Sequence, residues 1–229
     1  MRIAHLIPRP RDFALAGALL CVGAPLVRAQ GGASPVKERN VVSHASDPEA
    51  DIVIASDFAF LGRVQSLVME GKATAEQHWF VRREGSRVTR IVVVHFERWN
   101  DGVEGSFGYP TFRMQRLGGH DYLHQSFPVE DRCAIATDEV RALMRAAGLQ
   151  LARECIATRF VRAASVDRRS EVILFYLEPV DALPSTEGLL PGGLPAGYDR
   201  AGAPETPWGK VDKRLTEEAL RAIEVHDRK

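Results

Sequence analysis

A β-hairpin near the middle of the chain constrains the fold more than any other part of the sequence. Residues 73–83 (ATAEQHWFVRR) and 87–99 (RVTRIVVVHFERW) are rich in β-branched and aromatic residues. The short stretch EGS separates them, and Gly85 supplies the positive φ that a tight turn needs. Residues 91–94 are consecutively apolar, so both faces of the second strand are apolar. We therefore expect this strand to lie inside its sheet.

One helix is well marked at both ends. Thr137 is a suitable N-cap, and Gly148 follows the last apolar position. Between them, apolar residues recur at helical spacing on one face. The sequence therefore predicts a helix over about 138–147.

Further strands are predicted on both sides of these elements. Residues 149–163 and 170–180 resemble two strands joined by a polar turn, and 111–117 is a possible further strand. Residues 51–64 form an apolar run that fits either a strand or a short helix. Hairpins with one helix among them indicate an α+β fold, in which an antiparallel sheet carries the helix on one face.

The N-terminus has the pattern of a secretory signal. Three arginines precede an uncharged apolar run at 13–27, and Val27 and Ala29 occupy the small-residue positions read by signal peptidase. The run has 15 residues, whereas a spanning helix needs about 20. We therefore expect export to the periplasm or the exterior, with cleavage after Ala29.

The remaining chain divides by composition. After the signal peptide at 1–29, residues 30–49 are predicted to be a flexible N-terminus, because they contain Gly, Ser, Pro and charged residues with few large apolar groups. An α+β domain is expected over 50–180, followed by a Pro/Gly-rich extended segment over 181–210. A C-terminal helix is predicted over 211–229 from a modest apolar stripe.

The charge balance excludes some classes of partner. The full chain has 30 basic and 30 acidic residues, and cleavage removes four arginines and one aspartate, which leaves a net charge of −3. This value gives no sign of a surface for nucleic acid or for anionic lipid. After cleavage no apolar run is long enough to span a membrane.

Two cysteines remain in the mature chain, Cys133 and Cys155. An even pair in an oxidising compartment predicts a disulfide. Such a bridge would pin the predicted helix to the following strand, and it is worth about 3 kcal/mol on the chain-entropy model. Two buried unpaired thiols are the alternative.

The hairpin carries a possible cluster of polar side chains. With a two-residue turn, Glu76 would lie opposite His95, and the set Glu76, His78, His95 and Glu97 would share one face. Imidazole and carboxylate groups so arranged can bind zinc or act as an acid–base pair. A change of register by one residue would split the set across the two faces. A solvated polar face with cross-strand ion pairs is the simpler interpretation.

His120 and His124 form the second candidate. On a helix, this spacing would place both on one face, as in many metal sites. On a strand they would lie about 13 Å apart, too far to share an ion. We expect a loop with two partly exposed histidines that do not by themselves bind metal. A third ligand would have to come from His78 or His95.

Two hypotheses for function follow. The sequence has no dinucleotide-binding or P-loop motif, and the stretch around Ser106 lacks the first glycine of a nucleophile elbow. The first hypothesis is an exported, non-catalytic binding or accessory domain for a small molecule or a partner protein, with no cofactor expected. The alternative is a metal-assisted hydrolase or related enzyme, which holds zinc or another divalent metal through the candidate histidines, His78, His95, His120 and His124.

The first prediction concerns export. Protein recovered from the exported fraction should begin at Gln30, because signal peptidase cuts after the small residue Ala29. N-terminal sequencing measures this directly. An exported chain that still carries Met1 in the membrane fraction would contradict it.

Overall fold

The fold is an antiparallel α+β structure, as predicted. A computed structural model describes residues 40–44, 50–109, 113–129, 136–183 and 206–226. In these ranges the strands are β1 (Asn40–His44), β2 (Ala50–Ile54), β3 (Ala59–Val68), β4 (Ala73–Glu84), β5 (Arg87–Trp99), β6 (Arg113–Leu117), β7 (His120–Val129), β8 (Cys155–Ala163), β9 (Ser170–Pro179) and β10 (Ile223–His226). The helices are α1 (Asp138–Ala146) and α2 (Pro207–Ala222), and single 3-10 turns cover Met69–Gly71 and Val180–Ala182.

The strands form two antiparallel sheets. The larger has seven strands in the order β3-β4-β5-β9-β8-β7-β6, and the smaller has three in the order β1-β2-β10. β5 lies between β4 and β9, which confirms that the strand with consecutive apolar residues is internal. The ambiguous run at 51–64 contributes to β2 and β3, which belong to different sheets.

The seven-stranded sheet separates two hydrophobic cores. On one side, which we call the α1 face, side chains of the sheet pack against Val140 and Met144 of α1. On the other side, the α2 face, they pack against α2 and the small sheet, with Trp208 and Leu215 of α2 fully buried. The fold therefore has three layers, and the large sheet is covered on both faces.

Helix α1 begins and packs as its sequence predicts. The Thr137 side chain accepts a hydrogen bond from the backbone N–H of Val140 at 3.5 Å, which caps the first turn. The helix crosses β3 at Gly62, where an added Cβ would lie 2.9 Å from Leu143 Cδ1. A glycine at this position lets the helix approach the sheet closely.

The register of the β4–β5 hairpin differs from the predicted one. The two-residue turn is present, since Glu84 pairs with Arg87, and Gly85 has a φ of 62°. A β-bulge then follows, because Arg82 pairs with Arg90 whereas Arg83 pairs with Val88. The extra residue, Thr89, shifts the pairing of all later positions by one residue.

The C-terminal region differs from the predicted single helix over 211–229. α2 begins earlier, at Pro207, where the Thr206 side chain accepts a hydrogen bond from the Gly209 N–H at 3.0 Å. It ends at Ala222, and β10 then pairs with β2. The alternating pattern Ile-Glu-Val-His places Ile223 and Val225 in the core. The prediction of a helix over these residues is wrong because so short an alternation also fits the last turn of a helix.

Five residues of the predicted flexible N-terminus are described, and they form a strand. Residues 40–44 of the predicted flexible stretch form β1, an edge strand paired with β2. The predicted signal peptide and residues 30–39 and 45–49 lie outside the described residues. The same holds for 184–205 of the Pro/Gly-rich segment.

The structure describes one of the two cysteines of the predicted disulfide. Cys155 is buried at the start of β8, within the core of the α1 face. Cys133 lies outside the described residues, so the pairing stays a prediction.

Among the described helices, neither is long and apolar enough to cross a membrane.

Two adjacent glycines in the β6–β7 turn give a matched test of how the two sheets meet. Both have positive φ, +55° at Gly118 and +88° at Gly119, so alanine strains the backbone at either position, by about 1 kcal/mol. Only at Gly118 would a Cβ collide with the backbone carbonyl of Val225 in β10. We expect Gly118→Ala to cost about 1–3 kcal/mol more than Gly119→Ala.

Urea unfolding of the two variants and the wild type measures this difference. Equal losses for the two variants would contradict the contact between the β6–β7 turn and β10.

Candidate functional site

The candidate cluster on the hairpin is split between the two faces of the sheet. Because of the bulge, Gln77 pairs with His95 and His78 pairs with Val94. His95 and Glu97 therefore lie on the α1 face, while Glu76 and His78 lie on the α2 face. The prediction that all four share one face is wrong. It extends the register set by the turn along both strands, whereas the bulge shifts that register by one residue.

Glu76 and His78 form a partly exposed polar pair. Their Oε1 and Nε2 atoms lie 2.7 Å apart, and Gln65 Nε2 donates to Glu76 Oε2 at 2.8 Å. The hydrogen bond from His78 is the main cause that lowers the pKa of Glu76 to about 2, against a raising effect of burial. Arg63 lies 3.6 Å away on the neighbouring strand. This is a cross-strand polar network of the kind expected on a solvated face.

His120 and His124 lie on β7 rather than on a loop or helix. They share a face but are four strand residues apart, about 13 Å. β7 is three strand spacings from β5, about 14 Å, so His95 is remote from both. The four candidate histidines therefore do not converge on one point. Within the part of the chain that the structure describes, no three His, Cys, Asp or Glu side chains are grouped to hold a metal ion.

His124 was predicted to be partly exposed, but it is buried beneath α2. Its Nε2 lies 2.8 Å from Thr158 Oγ1 and 3.1 Å from Thr216 Oγ1. Asp212 Oδ1 approaches the same nitrogen at 4.0 Å. In a catalytic triad, the hydroxyl and the carboxylate contact opposite ring nitrogens, so this arrangement is not one. Burial lowers the pKa of His124 to about 4, which keeps the ring neutral where it joins α2 to the sheet.

A different group of polar side chains lies together on the α1 face. Glu97 of β5 and Glu171 of β9 are direct cross-strand partners. His95 is two residues from Glu97 on the same face, and Gln77 lies opposite His95. We call Gln77, His95, Glu97 and Glu171 the acidic sheet site. Its side chains lie on three adjacent strands, β4, β5 and β9.

The acidic sheet site is deeply buried. Gln77, His95 and Glu171 are each at most 1% exposed, and the Glu97 side chain is 10% exposed. His95 Nε2 lies 2.9 Å from Glu97 Oε1. Two carboxyl groups are thus held next to each other in a desolvated place.

The connection between β5 and β6 lies over this site and contributes Tyr109. The Tyr109 hydroxyl donates to Glu171 Oε1 at 2.6 Å. The connection is held by Arg169, whose guanidinium donates to the backbone carbonyls of Asn100 at 2.9 Å and Val103 at 2.8 Å. Phe107 N also donates to the Arg168 carbonyl at 2.8 Å. These contacts fix Tyr109 above the sheet.

Arg159 of β8 lies at the rim of the site. Its guanidinium is 5.8 Å from the ring centre of Tyr109 and 5.5 Å from that of Phe127. Its Nη2 atom donates to Gln125 Oε1 at 3.0 Å. Arg159 therefore packs on aromatic rings and an amide.

Several polar atoms of the site have no hydrogen bond among the described residues. They are Gln77 Nε2, both ring nitrogens of His95 and Glu171 Oε2. Trp79 Nε1 donates to Gln77 Oε1 at 3.0 Å, which fixes the orientation of the Gln77 amide and leaves its N–H groups unused. Buried polar atoms are nearly always hydrogen-bonded in folded proteins. Such atoms also occur elsewhere in the described residues, for example Glu178 Oε2 and Asp212 Oδ1, but here four of them lie in one cluster.

Burial also changes the acid–base properties of the site. Desolvation, and next the charge of Glu97, raises the pKa of Glu171 to about 8. Tyr109, Arg159 and Arg168 act in the opposite direction but do not offset these effects. Burial and the neighbouring Glu171 raise the pKa of Tyr109 above its ordinary range, so its hydroxyl remains a donor. At neutral pH, Glu171 is largely a neutral carboxylic acid beside Glu97.

Sequence reasoning found His95 and Glu97 but missed Glu171, Gln77 and Tyr109. Glu171 starts a strand that follows a polar turn, where a solvated residue is expected. The signal available in the sequence was its position in SEVILFYLEP. This strand is so apolar that a glutamate next to the apolar run is expected to be buried with it. Which strand lies beside β9 is not encoded in any local pattern.

Comparison with protein-family models, curated proteins and solved structures found no match to this chain. Any function assigned to it therefore rests on the chemistry of its own residues.

The raised pKa of Glu171 makes stability depend on pH in a defined direction. The ordinary pKa of this carboxyl is 4.5, and in the folded protein it is about 8. The folded state therefore holds its proton more tightly. The resulting stabilisation is complete below pH 4.5 and is lost as the pH rises to about 8. Glu171→Gln keeps a neutral side chain at every pH and removes this dependence.

We expect the stability of the wild type, relative to Glu171→Gln, to fall by on the order of 3 kcal/mol between pH 4.5 and 8. Urea unfolding of both proteins across this range measures it, and other titrating groups cancel in the difference. A difference that stays constant with pH would show that Glu171 does not titrate in this window.

Proposed function

We propose that this protein is an exported binding or accessory domain that takes a small-molecule ligand at the acidic sheet site. The site lies on internal strands of a sheet covered on both faces. Its side chains are buried, so a partner protein that docks on the surface would not reach them. The signal-like N-terminus supports the exported part of this proposal, and a disulfide between Cys133 and Cys155 would be consistent with it.

The unused hydrogen-bonding atoms of the site carry the proposal. Leaving a buried donor or acceptor unpaired costs about 1–3 kcal/mol for each group. Among the described residues, Gln77 Nε2, His95 Nδ1 and Glu171 Oε2 are all in this state and on one face. A ligand that supplies their partners would recover this cost. Such a loss of stability is typical of functional sites, where residues are selected for function and not for stability.

The surroundings of the site suit a small organic ligand. Apolar side chains of the α1 face adjoin the polar atoms, with Ile173 and Phe175 next to Glu171 along β9 and Val161 on β8. Small-molecule sites commonly combine apolar walls with a few convergent polar groups. The acidic sheet site has this composition.

An acid–base enzyme is the second candidate, and the raised pKa of Glu171 favours it. A carboxylic acid with a pKa of about 8 beside a second carboxyl group is typical of sites that divide the roles of acid and base. This version of the enzyme hypothesis uses His95, Glu97 and Glu171. The version that unites His78, His95, His120 and His124 around one metal does not fit their separation on the sheet.

Binding at the acidic sheet site can be tested with a fragment screen. We expect some small fragments to raise the thermal unfolding temperature of the exported protein, because a ligand that binds the folded state stabilises it. The same fragments should bind at least about tenfold more weakly to Gln77→Leu or His95→Phe, which remove the unused polar atoms.

Glu76→Gln is the matched control, because Glu76 lies on the opposite face of the same strand. Its affinity for these fragments should equal that of the wild type. The proposal fails if no fragment binds, or if the site variants and the control lose affinity equally.

A further inference from the structure

Resting on the proposed function, we infer that the ligand of the acidic sheet site carries a protonated amine, which lies between Glu97 and Glu171. The binding proposal leaves this chemical class open. The other buried glutamate of strand β9 provides the comparison.

Strand β9 carries two buried glutamates, one on each face. Glu178 on the α2 face is completely buried and has two arginine partners. Arg90 Nε lies 3.0 Å from one of its oxygens, and Arg214 Nη2 lies 2.7 Å from the other. This is the usual arrangement for a buried carboxylate, because an unpaired charge in the interior is costly.

Glu171, seven residues earlier on the same strand, has no such partner. Within the described ranges, no lysine or arginine lies within ion-pair distance of Glu171 or Glu97, although such pairs are present elsewhere. The Tyr109 hydroxyl contacts Glu171, and the His95 ring contacts Glu97. Two adjacent buried carboxyl groups do not both ionise without a positive charge between them, and Glu171 holds its proton in the free protein.

The positive charges of Arg159 at the rim and of Arg168 lower the pKa of Glu171 but do not offset the effects of burial and Glu97. Arg159 lies over the rings of Tyr109 and Phe127 and donates to Gln125. The polar atoms left over at Gln77 Nε2 and His95 Nδ1 are a second indication that a ligand completes the site. An ammonium group can donate up to three hydrogen bonds, which matches two adjacent carboxyl groups better than a hydroxyl does.

Binding of a cation is then coupled to release of a proton. The groups that face Glu171 are Glu97 and His95 from β5, Tyr109 from the connection above, Arg159 from β8 and Arg168 from the β8–β9 turn. Because the pKa of Glu171 is about 8 in the free protein, a cation that binds the ionised form displaces its proton to solvent. Affinity for a cation therefore rises with pH until about pH 8.

The test uses three probes of similar shape and different charge: benzylamine, benzyl alcohol and benzoate. Isothermal titration calorimetry of the exported protein should give an affinity for benzylamine at least about tenfold higher than for the other two. In the range below pH 8, the affinity should rise by roughly tenfold for each pH unit. Titrations in two buffers of different ionisation enthalpy should show about one proton released at pH 6.5.

Glu171→Gln should abolish the proton release and weaken benzylamine binding by at least about tenfold. This variant mimics the protonated acid and retains the side chain that Tyr109 contacts, so it should fold. Glu97→Gln is the second variant and should weaken binding similarly. Glu76→Gln, an acidic residue removed from the other face, should bind benzylamine as the wild type does.

Three results would overturn the inference. If benzyl alcohol or benzoate binds as tightly as benzylamine and loses affinity in His95→Phe, the binding function stands and the cationic class is wrong. Equal weakening in Glu76→Gln and Glu171→Gln would show general surface attraction. Absence of benzylamine binding would contradict the inference directly, whatever other fragments bind.

Discussion

The extra residue in the β4–β5 hairpin determines which polar groups meet. If Thr89 were paired regularly with Arg82, without a bulge, the tight turn at Gly85 would place His95 opposite Glu76, beside the solvated pair of Glu76 and His78. With it, His95 and Glu97 turn to the α1 face and meet Glu171 of β9. Thr89 Oγ1 donates to the Arg82 carbonyl at 3.3 Å, so the bulge is itself hydrogen-bonded. A one-residue change in pairing thus separates a surface network from a buried site.

Buried charged groups have different partners on the two faces of the large sheet. Beneath α2, each buried charge has a partner: Glu178 has Arg90 and Arg214, and Asp212 has Arg113. These contacts, together with the Thr216 hydroxyl near His124, attach α2 to the sheet. On the α1 face, apolar side chains pack against α1 in one region, Phe107 packs on Ala73 and Ala75 in another, and the acidic sheet site is on the same face. The buried carboxylates beneath α2 thus have arginine partners within ion-pair distance, whereas Glu171 has none among the described residues.

Local patterns predicted the elements well and their pairing poorly. The turn at Gly85, the Thr137 cap and the internal position of β5 follow from short-range chemistry that any neighbouring residues preserve. The bulge at Thr89 has no such signature, since neither glycine nor proline marks it. Glu171 was missed for a related reason: its burial depends on β5 lying beside β9, a contact between distant segments. The strand β10 was predicted as helix because it continues the apolar spacing of α2.

The pairing of β10 with β2 has a consequence for how the chain folds. Ile223 pairs with Ile54, so the small sheet joins segments from nearly opposite ends of the sequence. Contacts of such long separation form slowly, because the entropy of closing a long loop is lost before the contact is gained. The core under α2 includes Ile52, Ile223 and Val225, so it is complete only when both segments have arrived. The buried residues of the α1 core lie between Val64 and Leu177, so their packing does not require the C-terminal strand, whereas the α2 core stays open until that strand is in place.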